Sequence, residues 1–135
     1  MADATQGARP RPLSPHVQIW RWHVTMAASI TNRATGVALY AGWLVFAGWA
    51  LALSAGADAY QAYTGLLTSP LGLLVLIGVT ASLFFHLGAG VRHLAWDLGR
   101  GFAKTTASAT AWFSYVFALL ATILVWVAAF AAHAG

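Results

Sequence analysis

The sequence predicts an all-α integral membrane protein with three transmembrane helices. Of its 135 residues, 60% are hydrophobic and only 7% are charged, and a water-soluble fold could not bury so much apolar surface. No Asp, Glu, Lys or Arg lies between Arg33 and Asp58, between Asp58 and Arg92, or after Lys104. Each of these segments is longer than the ~20 apolar residues that cross a hydrocarbon core.

The helices are expected at about 23–53, 69–99 and 108–132, within a membrane domain of residues 23–135. Residues 1–22 are expected to form an extended cytoplasmic arm, because proline restricts the backbone and three prolines lie close together there. The arm has no continuous apolar run, so we expect the first span itself to direct membrane insertion. The turn SAGADAY ends the first helix, a loop follows, and Ser69-Pro70 suits the start of the second. The link RGFAKTTASAT leads to the third.

The positive charges predict the orientation. Every Lys and Arg lies before or at the start of the first helix, or at the end of the second helix and just after it: Arg9, Arg11, Arg21, Arg33, Arg92, Arg100 and Lys104. The positive-inside rule therefore puts the N-terminus and the second loop in the cytoplasm. Tryptophans that fit an aromatic belt on the same side are Trp20, Trp22, Trp96 and Trp112.

Composition excludes several functions. The net charge is +4, but the basic residues are too scattered for a nucleic-acid-binding stripe. There is no Cys, which excludes disulfides and thiolate chemistry. No catalytic triad, phosphate-binding loop, carboxylate pair or metal-spaced cluster occurs, so we do not expect an enzyme by itself.

A first candidate site lies at the start of the first helix. Ser29 and Arg33 are four residues apart and share a helix face, with Asn32 beside them. A guanidinium and a hydroxyl there can donate hydrogen bonds to a quinone head group or to a haem propionate. In the alternative interpretation, Arg33 extends to the lipid headgroups and Ser29 bonds to its own helix.

A second candidate site lies at the C-terminal end of the second helix. His86, Gly90, His93 and Asp97 form one stripe at helical spacing. His86 is the deepest polar residue of this helix, and a neutral imidazole at such a position is a natural axial ligand of haem iron. Gly88 and Gly90 would let a porphyrin approach the backbone. Arg92 and His93 lie about 10 Å along the axis, within reach of propionates.

A haem with two histidine ligands would need a second one. His16 and His23 lie in the arm or at the interface, and His133 lies at the opposite membrane face. We therefore expect the second ligand from a partner subunit. In the alternative interpretation, His86 makes a hydrogen bond to a neighbouring helix, and Asp97 pairs with Arg100 or Arg92.

Two segments together, RPLSPHVQIWRWHVTMAASITNRATG (11–36) and HLGAGVRHLAWD (86–97), resemble the cytochrome b556 subunits of bacterial succinate dehydrogenase. These are membrane anchors of respiratory complex II, and the resemblance covers the whole three-helix layout. It implies a hetero-oligomeric haem-binding helix bundle, in which two anchor subunits share one haem b. They hold an iron–sulfur subunit and a flavoprotein subunit on the cytoplasmic face, and electrons pass from succinate to ubiquinone.

The resemblance also implies roles for single residues. His86 matches the axial haem ligand, and Ser29, Arg33 and Trp22 match positions at the ubiquinone site. Arg33, Arg92 and His93 are expected near the haem propionates. The family often has His before the arginine, where this chain has Asn32, which can donate a hydrogen bond but carries no charge.

The expected function is that of a haem b-binding anchor subunit of succinate:ubiquinone oxidoreductase in the bacterial inner membrane. Such a subunit contributes to quinone reduction and does not itself act on succinate. The alternatives are the anchor of a fumarate reductase and a haem-free structural anchor. A small transporter is disfavoured, because no polar stripe runs through all three helices.

Overall fold

Four α-helices account for nearly all of residues 20–134, the part of the chain that the computed structural model describes. They are α1 (Val24–Ala55), α2 (Ala57–Leu67), α3 (Pro70–Asp97) and α4 (Lys104–Ala134). Three of them, α1, α3 and α4, are long and apolar enough to cross a membrane, as the sequence predicts. Most of the expected N-terminal arm, including His16, Arg9 and Arg11, lies outside the described residues.

Local chemistry explains where the helices begin and turn. His23 caps α1 through Nδ1, which accepts from the Thr25 backbone N–H at 3.5 Å. Ser69 caps α3 by accepting from Gly72 N at 3.1 Å, with Pro70 next in the chain. Gly56 separates α1 from α2. Its φ of +112° is a backbone conformation that residues with a Cβ rarely adopt.

The segment between the first two spans differs from the expected loop, because it contains the eleven-residue helix α2. Asp58 lies in its first turn, where a negative charge is favourable. The Tyr63 hydroxyl donates to the α1 carbonyl of Val45 at 2.9 Å, and its ring contacts Gly48, which has no Cβ to block it. This contact with α1, absent from the local sequence pattern, holds α2 in place.

The third span also begins earlier than expected, at Lys104 instead of about 108. Serine and threonine in the link suggest a non-helical connection, because their side chains compete for backbone hydrogen bonds. Here they bond within the helix instead. Ser108 Oγ donates to Lys104 O at 2.8 Å, and Thr110 Oγ1 donates to Thr106 O at 2.9 Å.

The three spans pack through small side chains, with α3 antiparallel to both neighbours. On α4 the buried residues recur every three or four positions: Ala111, Ser114, Ala118 and Thr122. On α3 the buried residues include Ala89 and the larger Phe85, and on α1 they include Ala28. The alanines, serine and threonine among these residues let helix backbones approach closely in a membrane. Across α1 and α4, Thr31 and Tyr115 are joined by a hydrogen bond of 2.8 Å.

Candidate functional site

His86 lies in the groove between α1 and α3. It is partly buried, and its Nδ1 is 3.3 Å from the Thr35 hydroxyl of α1. Its ring passes beside Gly36, where a Cβ would stand 3.5 Å from Cε1. The interhelical hydrogen bond anticipated by the alternative interpretation is therefore present, and it uses only one of the two ring nitrogens.

The contacts of Thr35 favour a proton on Nδ1 of His86. The Thr35 hydroxyl donates its one hydrogen to the Asn32 carbonyl oxygen at 3.0 Å, and a carbonyl can only accept. With its hydrogen on that bond, the hydroxyl offers His86 Nδ1 a lone pair, an arrangement that favours the tautomer with the proton on Nδ1. In a neutral ring the lone pair is then on Nε2, the tautomer in which a histidine can bind a metal through Nε2.

The surroundings of His86 have room for a flat group. Gly90, one turn along α3, has no other atom within 4 Å of the position its Cβ would take. The Asn32 side-chain oxygen is buried without a hydrogen-bond partner among the described residues. Gly88 instead faces α4, where its Cβ would stand 3.4 Å from Ser114 Cα, so only Gly90 of the two expected glycines leaves open space.

Within residues 20–134, no second histidine reaches His86. Thr35 marks the level of His86 on α1, and His23 lies twelve residues earlier in sequence, ~18 Å away along the axis. His93 is on the same helix, ~10 Å further on, and His133 is ~28 Å along α4 from the level of Gly88. Nor do these residues include a cluster of three or more His, Asp or Glu that could hold a metal ion.

Ser29 and Arg33 are both exposed. They precede Gly36 by seven and three residues, so all three positions lie on neighbouring parts of one helix side. The bundle-facing side of α1 is marked instead by Ala28 and Thr35, which are buried. Thr35, the α1 residue that contacts His86, is two residues beyond Arg33 and therefore about 160° around the helix from it, whereas Gly36, beside the His86 ring, is about 60° from Arg33.

Trp22 lies elsewhere. It lines a cavity of about 530 Å³ together with Ala27 of α1 and Trp112 and Tyr115 of α4. Ala27 precedes Ser29 by two residues, which is about 200° around a helix. The structure therefore does not bring Trp22 together with Ser29 and Arg33.

Arg92 and His93 diverge, although they are consecutive. The Arg92 side chain is only 7% exposed, donates from Nη2 to Ala107 O at 3.5 Å, and stands 4.2 Å from the centre of the Trp96 ring. It is thus directed toward α4, about 120° around α3 from His86. His93 is partly buried, on the His86 side of α3, with its ring centre 5.2 Å from that of Trp96.

The sequence interpretation overlooked Thr35. Its neighbours Arg33 and Gly36 draw attention first, and a threonine within a span most often bonds to its own helix. One signal was available, namely a hydroxyl side chain two residues after the arginine and directly before a glycine. Which helix that hydroxyl faces depends on how α1 is rotated against α3, which the sequence of α1 alone does not specify.

Comparison with known proteins agrees with this layout. A family model described as "Succinate dehydrogenase/Fumarate reductase transmembrane subunit" matches residues 7–125. The succinate dehydrogenase cytochrome b556 subunit of Rickettsia felis is 36% identical over 117 residues, which are 87% of this chain and 91% of that protein. For the Paracoccus denitrificans subunit of the same name, the identity is 40% over 101 residues, 75% and 76% of the two chains. The mitochondrial cytochrome b560 subunit of Sus scrofa is 42% identical over 93 residues, 67% of this chain and 55% of the relative.

Proposed function

The chain belongs to the family of succinate dehydrogenase and fumarate reductase transmembrane subunits, and from this membership we propose that it anchors a succinate:ubiquinone oxidoreductase and binds haem b. The relatives reported above are all named as cytochrome b subunits of succinate dehydrogenase, which favours that enzyme over a fumarate reductase. In this role the chain passes electrons toward ubiquinone and does not act on succinate itself.

His86 carries the haem part of the proposal. Its Nδ1–H bonds to Thr35, which leaves the Nε2 lone pair for iron. Gly90 leaves space beside it, and the ring lies against Gly36. A bound haem b supplies one-electron redox chemistry at this position. The haem-free alternative accounts for the bond at Nδ1 but gives Nε2 no hydrogen-bond partner among residues 20–134.

Under this proposal, a sister anchor subunit would supply the second histidine that holds the haem. The other histidines of residues 20–134 lie ~10 to ~28 Å along the helix axes from about the level of His86, too far to bind the same iron. One haem b is then shared between two chains. The exposed side of α1 that carries Ser29 and Arg33 would adjoin that partner.

For the haem propionates we retain Arg33, Arg92 and His93. His93 lies on the His86 side of α3, and the exposed Arg33 is three residues before Gly36, which lies beside the His86 ring. The Arg92 guanidinium is already engaged with Ala107 O and Trp96, so it has less freedom to turn toward a propionate.

For ubiquinone we propose hydrogen bonds from Ser29 and Arg33 to a carbonyl oxygen of the head group. The exposed guanidinium can stabilise the negative charge that develops on that oxygen during reduction. Trp22 is kept as a further contact from the family resemblance. Its side chain lines a different cavity in the isolated chain, so it has less support than the other two.

The complex would include an iron–sulfur subunit and a flavoprotein subunit on the cytoplasmic side of the bacterial inner membrane. The basic residues of the described chain support that side, since Arg21, Arg100 and Lys104 lie at the ends of helices that share one end of the bundle. An iron–sulfur subunit docked there would be near the level of Ser29 and Arg33.

The experiment that tests the haem proposal replaces His86 in the whole complex. We expect His86→Ala to abolish the low-spin b-type haem spectrum of the detergent-purified complex, because the iron loses an axial ligand. His93→Ala should keep low-spin ligation, and His133→Ala, at the far end of α4, is the control for a general effect of losing a histidine. An unchanged low-spin spectrum in His86→Ala would exclude His86 as the ligand.

A further inference from the structure

We propose that Thr35 is a positioning residue for haem: its hydroxyl accepts a hydrogen bond from His86 Nδ1–H and thereby sets the reduction potential of the haem iron. The proposal rests on the proposed function, in which His86 ligates that iron. The proposal adds to the haem site a residue of α1, Thr35, which acts on His86, the proposed iron ligand on α3.

The direction of the two hydrogen bonds carries the proposal. Asn32 O accepts from Thr35 Oγ1 at 3.0 Å, a shorter contact than the 3.3 Å between Thr35 Oγ1 and His86 Nδ1. With the hydroxyl hydrogen on the shorter contact, the Thr35 oxygen accepts from Nδ1–H. The chain Nδ1–H, Thr35 hydroxyl, Asn32 carbonyl runs in one direction, and each member polarises the next.

Burial makes this bond effective. Thr35 is 9% exposed, so surrounding water does not replace its oxygen as the partner of Nδ1. A β-branched side chain on a helix has few accessible rotamers, which keeps the oxygen in one place. A Cβ at the next residue, Gly36, would stand 3.5 Å from Cε1 and 4.0 Å from Nδ1, so α1 passes close to the same edge of the imidazole.

The expected consequence is electronic. An Nδ1–H that donates a hydrogen bond makes the imidazole a more basic ligand, and a more basic ligand stabilises ferric over ferrous iron. Thr35 should therefore hold the haem potential below the value it would have without the hydroxyl. Removing the acceptor should raise it.

The test compares Thr35→Val, which keeps the shape but not the hydroxyl, with Thr35→Ser, which keeps the hydroxyl. Redox titration of the haem absorbance in the purified complex should show a higher midpoint potential in Thr35→Val, by an amount equivalent to roughly tenfold in the equilibrium constant, or about 59 mV for one electron. Thr35→Ser should stay near the wild-type value. The low-spin electron paramagnetic resonance signal should shift in the Val variant only.

Thr122→Val is the matched control. Thr122 is also a buried threonine in a span, and its hydroxyl bonds to its own helix at Ala118 O, with no histidine involved. Its replacement tests whether loss of a buried threonine hydroxyl alone changes the potential. We expect no shift.

Assembly failures are also informative. If Thr35→Val and Thr35→Ala both lose haem while Thr35→Ser retains it, the hydroxyl is needed at the haem and the proposal stands. A wild-type potential in Thr35→Val or Thr35→Ala overturns it, as does an equal loss of haem in all three variants. Failure of the proposed function is distinct, because then the His86→Ala complex would keep its low-spin haem or the wild-type complex would have none.

Discussion

Hydroxyl side chains form most of the polar contacts inside the spans, and most of them bond within their own helix. Thr80 donates to Leu76 O, and Ser114 donates to Thr110 O. Such bonds satisfy the hydroxyl locally and carry no information about neighbouring helices. Thr31 and Thr35 differ, because their partners Tyr115 and His86 are on other helices. These two threonines therefore report how α1 is placed against α3 and α4.

Arg33 is the one charged side chain of α1. It lies ten residues into the described chain's first helix, and it is exposed instead of packed against the bundle. A cation in this position is costly in lipid alone, so it indicates a polar partner on that side. Under the proposed function, that partner is the quinone head group, a haem propionate, or both.

Replacement of Arg33 should separate quinone chemistry from assembly. We expect Arg33→Leu to lower succinate-driven ubiquinone reduction roughly tenfold or more, since a charge-assisted hydrogen bond contributes about 1.5–3 kcal/mol. Succinate oxidation by an artificial dye should be retained. Arg100→Leu, an exposed position between α3 and α4, is the matched control, and an equal loss of both activities in Arg33→Leu would indicate failed assembly instead.

Glycines determine how closely the helices approach. A Cβ at Gly42 of α1 would stand 2.7 Å from Val79 Cγ1 of α3, closer than real side chains tolerate. On α3, Gly78 has no neighbour within 4 Å of its Cβ position. Both glycines lie inside an apolar span, but only Gly42 has a neighbouring helix at its Cβ position. Substitutions at the two positions therefore form a matched pair.

We expect Gly42→Leu to destabilise the α1–α3 pair by roughly 1–3 kcal/mol, because the added side chain overpacks the interface. Gly78→Leu should have a smaller effect. The measurement is the temperature at which the detergent-solubilised complex loses its haem spectrum. A similar decrease in both variants would contradict the close approach of α1 and α3 at Gly42.

Helix α2 and the start of α4 show the limits of prediction for single helices. The eleven residues of α2 are too few to span a membrane, and their apolar content is modest, so the periodic signal is weak. Its position depends on Tyr63, which bonds to a carbonyl eighteen residues away in the sequence. For the long spans, in contrast, apolar length alone was sufficient.

Much of the molecular surface is apolar, as expected for a chain surrounded by lipid and partner subunits. Large hydrophobic side chains such as Val37, Trp43 and Leu124 are about 70% exposed. In water such a surface would aggregate, whereas in a bilayer it is the solvated surface. Most of the few buried residues within 20–134 are alanine, serine or threonine.

The orientation of the whole chain can be tested with single cysteines, because the natural sequence has none. In Asp58→Cys the thiol lies in the first turn of α2, and in Arg100→Cys it lies between α3 and α4. We expect a membrane-impermeant maleimide to label the first variant in intact cells and the second only after permeabilisation. The opposite pattern would contradict a cytoplasmic N-terminus.

The number of spans, their approximate ends and the shared face of Ser29 and Arg33 follow from the order of residues, because apolar length and helical spacing are properties of one helix at a time. The partners of His86 and Arg92 do not follow in this way, and neither does the separation of Trp22 from Ser29. These depend on how each helix is rotated about its axis, and small buried side chains such as Ala28, Ala89 and Ser114 decide that rotation by close packing. The hydrogen bond from His86 to Thr35 exists only because α1 and α3 meet in one particular register.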